Sequence, residues 1–451
     1  MTTTARTDQR PSARPARAGA GPSRSLLAGY ASGSLVTGTF TTLPGLLLLP
    51  YLTDTLGVTA ALAGAAVFAP KAWDAVLNPL AGRLSDRTRG RWGARRPYVL
   101  FGGLGVALGF LLTFAGPAHG AAGAWFCTAG FLVTATAFAF FQVPYVAMPA
   151  EITDRQEDRV RLVGGRVAVI GIAALLVGAG GPAVADAGGE GVAGYRWVGV
   201  FGCVVVAIGA VAVFAGSARA PHGTVLHSEP GLRRQFTAAR GNRPFMALLR
   251  CVVAQSAATG VLLAGAPYIA DHVLDGAVDV GALVAAFVAP NLLTMGLWAR
   301  LGNRVGSRRG YALASLFFTA GCLLFLVAPL LPVAGVLLVM VLAGAGHAGQ
   351  LLFLYAMLPD VVARSAERTG ERQAGMLSGL FTTGEGLGVA MGPFVYGLVL
   401  ELAGYVSSDS GGVRQSTGTR LGMLAGFAVL PSVAVVAAVL VLRSRGDREQ
   451  G

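Results

Sequence analysis

Lys71, Asp74 and Asn78 stand three and four residues apart inside an apolar segment. On a helix that spacing puts all three on one face. A base, an acid and an amide on one stripe can bind an ion, carry a proton or hydrogen-bond a polar solute. They cannot face lipid without penalty: a charge at the centre of a membrane helix costs roughly 2.5–3.5 kcal/mol on insertion scales. The stripe is therefore expected to line a polar cavity between helices, or to close on itself as a Lys71–Asp74 ion pair. Lys71 is the only lysine in the chain.

Three further polar residues sit in apolar surroundings. Glu385 lies among Thr382, Thr383 and Gly386, where an acid without a neighbouring base suits proton carriage or sets the charge of a water-filled cavity. His347, in Gly346-His347-Ala348-Gly349, is either a ligand for solute or proton, or one hydrogen bond between helices. Gln142 and Gln255 pose the same choice. Just beyond the stripe comes a basic loop, with Asp86 among Arg83, Arg87, Arg89, Arg91, Arg95 and Arg96. Asp86, Arg87, Arg95 and Arg96 are expected to make contacts between helices and at helix ends that hold one conformation closed. Glu151, Arg159, Glu371 and Arg372 read as gate or pairing residues of the same kind.

The elements that must position these groups are membrane helices. The 451-residue chain has only 13% charged residues and a mean hydropathy of +0.63, against about 25% charged in soluble domains. About twelve apolar spans are expected, near 26–54, 59–84, 97–117, 121–150, 162–187, 195–217, 244–272, 279–303, 309–331, 333–363, 373–404 and 418–443. The net charge of +13 does not point to nucleic acid, because the arginines fall in alternate connections. That alternation predicts a plasma-membrane protein with both termini in the cytosol. Cys127, Cys203, Cys251 and Cys322 all lie in apolar segments and offer neither a disulfide framework nor metal spacing. No metal and no cofactor is expected.

The organisation is expected to be a disordered cytosolic tail over 1–25, a six-helix bundle over 26–217 and a cytosolic linker over 218–243. A second bundle over 244–443 and a short tail over 444–451 follow. The halves echo each other: Ala81-Gly82-Arg83-Leu84-Ser85-Asp86-Arg87 follows the second span, and Ala299-Arg300-Leu301-Gly302-Asn303-Arg304 the eighth. Two six-helix repeats with a site between them fit a rocking carrier.

This arrangement resembles the major facilitator superfamily and, within it, the glycoside–pentoside–hexuronide cation symporters. The resemblance runs from about residue 26 onward. It rests on Trp73-Asp74-Ala75 with Asn78-Pro79, Ser85-Asp86-Arg87-Thr88-Arg89, Arg91-Trp92-Gly93, Arg96-Pro97, Pro144-Tyr145, Asn242-Arg243-Pro244 and Gly370-Glu371-Arg372-Gln373. It implies an all-α membrane protein whose two bundles alternate access to a central site. It also implies that Arg166 is the basic residue of the fifth helix, and that Gln142 and Tyr145 share the cavity with the stripe. The chain departs from the family's pattern at Asn78, where the sodium-using members carry a second acid, and at Ser34. The family lysine of the eleventh helix has no counterpart; Glu385 or Gly386 aligns with it.

Sodium wants several hard oxygens, usually including carboxylates, whereas a proton needs only one titratable group. With one acid in the second helix, proton coupling is expected ahead of sodium coupling. The expected function is secondary transport of a sugar or sugar-like small solute by a monomer in the bilayer. A lipid- or natural-product-handling exporter on the same scaffold is the alternative. Without a phosphate-binding lysine motif, metal cluster or nucleophile arrangement in the sequence, an enzyme is not expected.

Overall fold

A computed structural model describes residues 22–116, 120–153, 155–189, 191–218, 220, 239–369, 374–408 and 413–446. Among them are twelve helices long and apolar enough to cross a membrane. They are α1 (Arg24–Thr55), α2 (Ala60–Arg87), α3 (Arg96–Phe114), α4 (Gly120–Ile152), α5 (Glu157–Ala187), α6 (Val192–Gly216), α7 (Arg243–Val273), α8 (Val280–Val305), α9 (Ser307–Leu330), α10 (Val333–Ser365), α11 (Met376–Leu402) and α12 (Thr417–Arg443). The described residues contain no strand. Hydrocarbon cannot hydrogen-bond a bare backbone, so a chain this apolar satisfies its peptide groups within helices.

Helix ends differ from the hydropathy limits where local chemistry extends the hydrogen bonding. The tenth helix continues to Thr369 rather than 363, because Arg364, Ser365 and Glu367 prolong the ladder beyond the apolar stretch. The first begins at Arg24, two residues inside the expected tail, where the Ser23 side chain accepts from Leu26 N. The last runs to Gly446, so the expected tail is partly helical. Helix α7 starts at Arg243 because Asn242 accepts from Phe245 N at 3.2 Å and Pro244 fits the first turn. Most of the expected linker, 221–238, and Glu371 and Arg372 lie outside the described residues.

Two bundles of six repeat one packing plan. In the first, α3 packs on α4 and α6, α2 on α4, and α1 on α5; in the second, α9 packs on α10 and α12, α8 on α10, and α7 on α11. The bundles meet through α2 against α11, α5 against α8, and α1 against α7. Even the ends of α1 and α7 correspond: each closes in a π-helical turn, Tyr51–Thr55 and Ile269–Val273. With twelve crossings, both ends of the chain emerge on one face, the terminal face; the opposite one is the far face.

The bundles are sealed at the far face. A Cβ at Gly64 of α2 would lie 2.8 Å from Pro393 O and 3.0 Å from Phe394 Cα of α11, so only glycine admits this approach. Gly397 is equally confined by Ala60 O, at 2.5 Å. Four hydrogen bonds join the bundles here. Ala61 N donates to Glu401 at 3.2 Å, Ser408 N donates to Thr53 O at 3.1 Å, Thr53 and Tyr268 share one at 2.7 Å, and the Tyr405 hydroxyl donates to Asp54. Burial, and then the Asp54 carboxylate, push the Tyr405 hydroxyl's pKa well above the ordinary tyrosine value, so Tyr405 stays protonated and keeps donating. Its oxygen also meets His272 Nε2 at 3.2 Å. Toward the terminal face the bundles part: Gly379 and Gly386 of α11 have no neighbour within 4 Å of where a Cβ would stand.

At the terminal face the basic loop rivets the first bundle. Arg95 bonds Asp86 of α2 at 2.5 Å, Glu151 of α4 at 2.8 Å and Ser85 Oγ at 2.5 Å, and is only 5% exposed. Arg96 donates to Phe214 O of α6 at 2.8 Å and covers that ring at 4.4 Å. Arg159 donates to Thr153 O at 2.8 Å. These bonds link helices of one bundle to each other. Arg87 is exposed on the last turn of α2.

Two outcomes follow from this packing. Gly64→Leu should force α2 away from α11 and lower the unfolding temperature in detergent, because its Cβ meets Pro393 O at 2.8 Å, whereas Gly379→Ala, in open space, should not; equal unfolding temperatures would refute the seal. Arg95→Ala should destabilise the protein by up to about 3 kcal/mol, since it strands two half-buried carboxylates. That loss would appear as a lower unfolding temperature in detergent, one that Arg87→Ala does not reproduce.

Candidate functional site between the bundles

Helix α2 puts Lys71, Asp74 and Asn78 on one side, and the three side chains part ways. Lys71 is buried and turns to α1, where its Nζ donates to Thr41 O at 3.4 Å and lies 5.8 Å from the Phe40 ring centre. Phe40 is itself held by Phe138, stacked at 3.8 Å. The Lys71–Asp74 ion pair does not form. Asp74 Oδ1 and Asn78 Oδ1 are both buried and neither has a hydrogen-bond partner in the protein. Buried polar atoms are rarely left bare. Two carbonyl-type oxygens one turn apart thus present acceptors to water or to a solute's hydroxyls.

Helices α1, α4 and α5 build the adjoining wall. Thr37 donates to Gln142 Oε1 at 2.7 Å, which fixes the amide's orientation. Tyr145 donates to Tyr30 O at 2.9 Å and takes a hydrogen bond from Ser34 Oγ, also at 2.9 Å. With Tyr30 stacked on it at 4.9 Å and no exposure, Tyr145 is not open to a solute. Its ring is a platform: the Arg166 guanidinium lies 5.7 Å from its centre. Arg166 Nε is buried without a partner. Ser34 serves here to hold the platform.

The second bundle supplies the facing wall. Glu385 is not the isolated acid expected from its apolar surroundings: Tyr355 of α10 donates to its Oε2 at 2.6 Å. Nothing in the local sequence signals this partner, because the two residues are brought together only by the packing of α10 beside α11. His347 makes the contacts of an inter-helix residue: Nδ1 lies 3.4 Å from Gln255 Nε2 and 3.3 Å from Thr259 Oγ1, and the ring stacks on Phe287 at 5.2 Å. Gln255 Oε1 remains buried and without a partner. Trp298 is buried and donates to Ala345 O at 2.7 Å, so it serves packing.

Asp74 and Asn78 on α2 and Arg166 on α5 each keep a buried polar atom without a protein partner, and Glu385 stands on α11 of the second bundle. Gln142 and Tyr145 stand behind them, Lys71 beside them, and His347 within the second bundle. Asp86, Arg95, Arg96, Glu151 and Arg159, expected from the sequence to act as gate residues, lie at the terminal face, where they join helices of the first bundle.

The comparisons bear on the family and the fold. The family described as MFS/sugar transport protein matches residues 29–444. An uncharacterised symporter of Bacillus subtilis, YnaJ, is 25% identical over 429 residues, covering 91% of this chain and 89% of that one. A protein named glucuronide carrier protein homolog, of Escherichia coli, is 25% identical over 401 residues, covering 85% and 84%. The fold matches the crystal structure of a D-xylose–proton symporter with a TM-score of 0.66 at 15% identity, covering 92% of this chain and 96% of that one. With a family match across almost its whole length, a twelve-helix fold and a polar cleft between two bundles, this chain belongs to the MFS/sugar transport protein family.

Proposed function

We propose that this protein is a proton-coupled secondary transporter of a sugar or sugar-like solute, working by alternating access in the plasma membrane. Both termini lie in the cytosol, so the far face is extracytoplasmic and the conformation described is open to the cytosol. The observation that carries this reading is that Asp74, Asn78 and Arg166 each keep a buried polar atom without a protein partner, in a pair of bundles that touch closely at the far face. A polyhydroxylated ring offers both donors and acceptors to such a set. The names of the relatives, which speak of glucuronide and glycoside carriage, support a sugar. The protein acts as a monomer and as a carrier, not an enzyme.

The coupling ion follows from the oxygen count. Asp74 is the one carboxylate on its stripe and Asn78 is an amide, so a sodium ion would lack the charge-bearing oxygens it prefers. Asp74 and Glu385 can each carry a proton.

Reconstituted in liposomes, the protein should accumulate a labelled sugar under an imposed pH gradient and be indifferent to a sodium gradient at fixed pH. Asp74→Asn or Glu385→Gln should flatten the pH response. Accumulation that climbs with sodium at constant pH would refute proton coupling. Impermeant maleimide labelling of a cysteine at 89 from the outside of intact cells would refute the orientation.

A further inference from the structure

At the far face a short segment of the second bundle reaches across to the first. Helix α11 ends in a glycine cap: Gly404 takes a φ of 74°, its N–H donates to Glu401 O at 3.0 Å, and Tyr405 N donates to Leu400 O at 2.9 Å. The chain beyond the cap is held from behind. The Gln415 side chain accepts from Val406 N at 3.1 Å and donates to Val406 O at 3.0 Å, and Thr419 Oγ1 donates to Ala403 O at 2.9 Å. All these partners belong to the second bundle, so residues 403–406 take their shape without help from the first.

Tyr405 stands between two equivalent turns. Asp54 is the fourth residue of the π-helical turn that closes α1, and His272 is the fourth residue of the turn that closes α7. The Tyr405 hydroxyl donates to Asp54, which leaves its oxygen to accept from His272 Nε2, at 3.2 Å. The Tyr405 ring stands edge-on to Tyr268 and to His272, with centres 5.4 and 5.6 Å away. Further on, Ser408 N donates to Thr53 O at 3.1 Å. One hydroxyl thus joins corresponding points of the two bundles. The equivalent connection of the first bundle, residues 188–191 between α5 and α6, carries three glycines and no tyrosine, so the device is one-sided.

We propose that residues 403–408 form a clasp that holds the far mouth shut, and that the Tyr405 hydroxyl is the bond on which it closes. This rests on the reading of the protein as an alternating-access carrier, and adds the element that sets which face the empty site opens to.

The seam of α2 on α11 is close backbone contact, where each atom pair adds little. A hydrogen bond to a carboxylate is stronger and directional. Opening the far mouth separates Asp54, in the first bundle, from Tyr405, in the second. It does not separate Tyr405 from His272, because both move with the second bundle. The clasp therefore lets go at one end and stays folded at the other. The glycine cap, Gln415 and Thr419 keep its shape, so closing again orders little chain. Tyr405 acts by positioning the bundles; it has no part in holding a solute.

Thr53→Cys puts a reporter thiol in the seam, since Thr53 is fully buried and shares a hydrogen bond with Tyr268 of the second bundle at 2.7 Å. That thiol should react with a water-soluble maleimide only when the far mouth opens. The reaction is followed by peptide mass spectrometry on the full-length protein in nanodiscs. In this background Tyr405→Phe should raise the labelling rate at least about tenfold, the scale of one hydrogen bond to a charged group. Asp54→Asn keeps an acceptor for the hydroxyl and should raise it less. Gln415→Ala, which alters only the shape of the clasp, should raise it as well. The unfolding temperature of Tyr405→Phe should equal that of its parent, which separates release of a gate from general loosening. Labelling of Tyr405→Phe at the parent rate, or faster labelling matched by a lower unfolding temperature, would overturn the clasp while leaving the carrier standing. A thiol at 53 that reacts in neither the parent nor any variant would take the alternating-access reading down with it.

Discussion

Hydrocarbon offers no hydrogen bond and little screening, so every charge that enters the membrane must find its partner in protein or in an enclosed aqueous cleft. Helix α2 carries Lys71 and Asp74, α5 carries Arg166, and α11 carries Glu385. No single helix, and neither bundle alone, encloses them all. The fold answers by setting the charged faces of two six-helix bundles toward each other. Lys71 is satisfied within the first bundle by Thr41 O and the Phe40 ring. Glu385 is satisfied within the second by Tyr355. Asp74, Asn78 and Arg166 retain buried atoms that no protein group satisfies. A carrier needs this incompleteness, because a fully satisfied site would have no use for a solute.

Pseudo-symmetry supplies the hinge. The pairs α2–α11 and α8–α5 are equivalent under exchange of the halves, and α1–α7 lies between them. Glycines at 64 and 397 let backbones touch at the far face, while Gly379 and Gly386 stand clear toward the terminal face. Small residues let the backbones meet there, and the four hydrogen bonds around them hold the seam closed. Chemistry, unlike packing, is not symmetric. The Asp86–Arg95–Glu151 cluster stiffens the first bundle, and the first bundle also bears the cations of the site.

Much of this is legible along the chain. The spacing of Lys71, Asp74 and Asn78, the arginines in alternate connections and the repeated Ala-Gly-Arg-Leu and Ala-Arg-Leu-Gly loops are local patterns, and they set the helices, their number and one wall of the site. What escapes is whatever joins distant parts of the chain. Lys71 turns to Thr41, thirty positions back, rather than to Asp74 one turn away. Tyr355 reaches Glu385 across two helices, and Tyr405 reaches Asp54 from the other end of the molecule. Tyr145, in a motif that suggests solute contact, is a buried platform because Tyr30 and Ser34 claim its ring and hydroxyl. Helix ends are misjudged where a polar residue prolongs the ladder past the apolar run, as at Arg364 to Thr369.

The central claim is that one polar site is exposed to the two faces in turn by rocking of the bundles. Spin labels at 89 and 367, both exposed near the terminal face, and at 62 and 402, both exposed at the far face, report the two mouths of the cleft. Distances from pulsed electron resonance in nanodiscs should be long and broad for 89–367 and short for 62–402 in the absence of solute. With D-glucuronate at acidic pH, the first distance should shorten as the second lengthens. If both distances lengthen together, or neither responds while the sugar binds, the bundles do not rock about this site and the account is wrong.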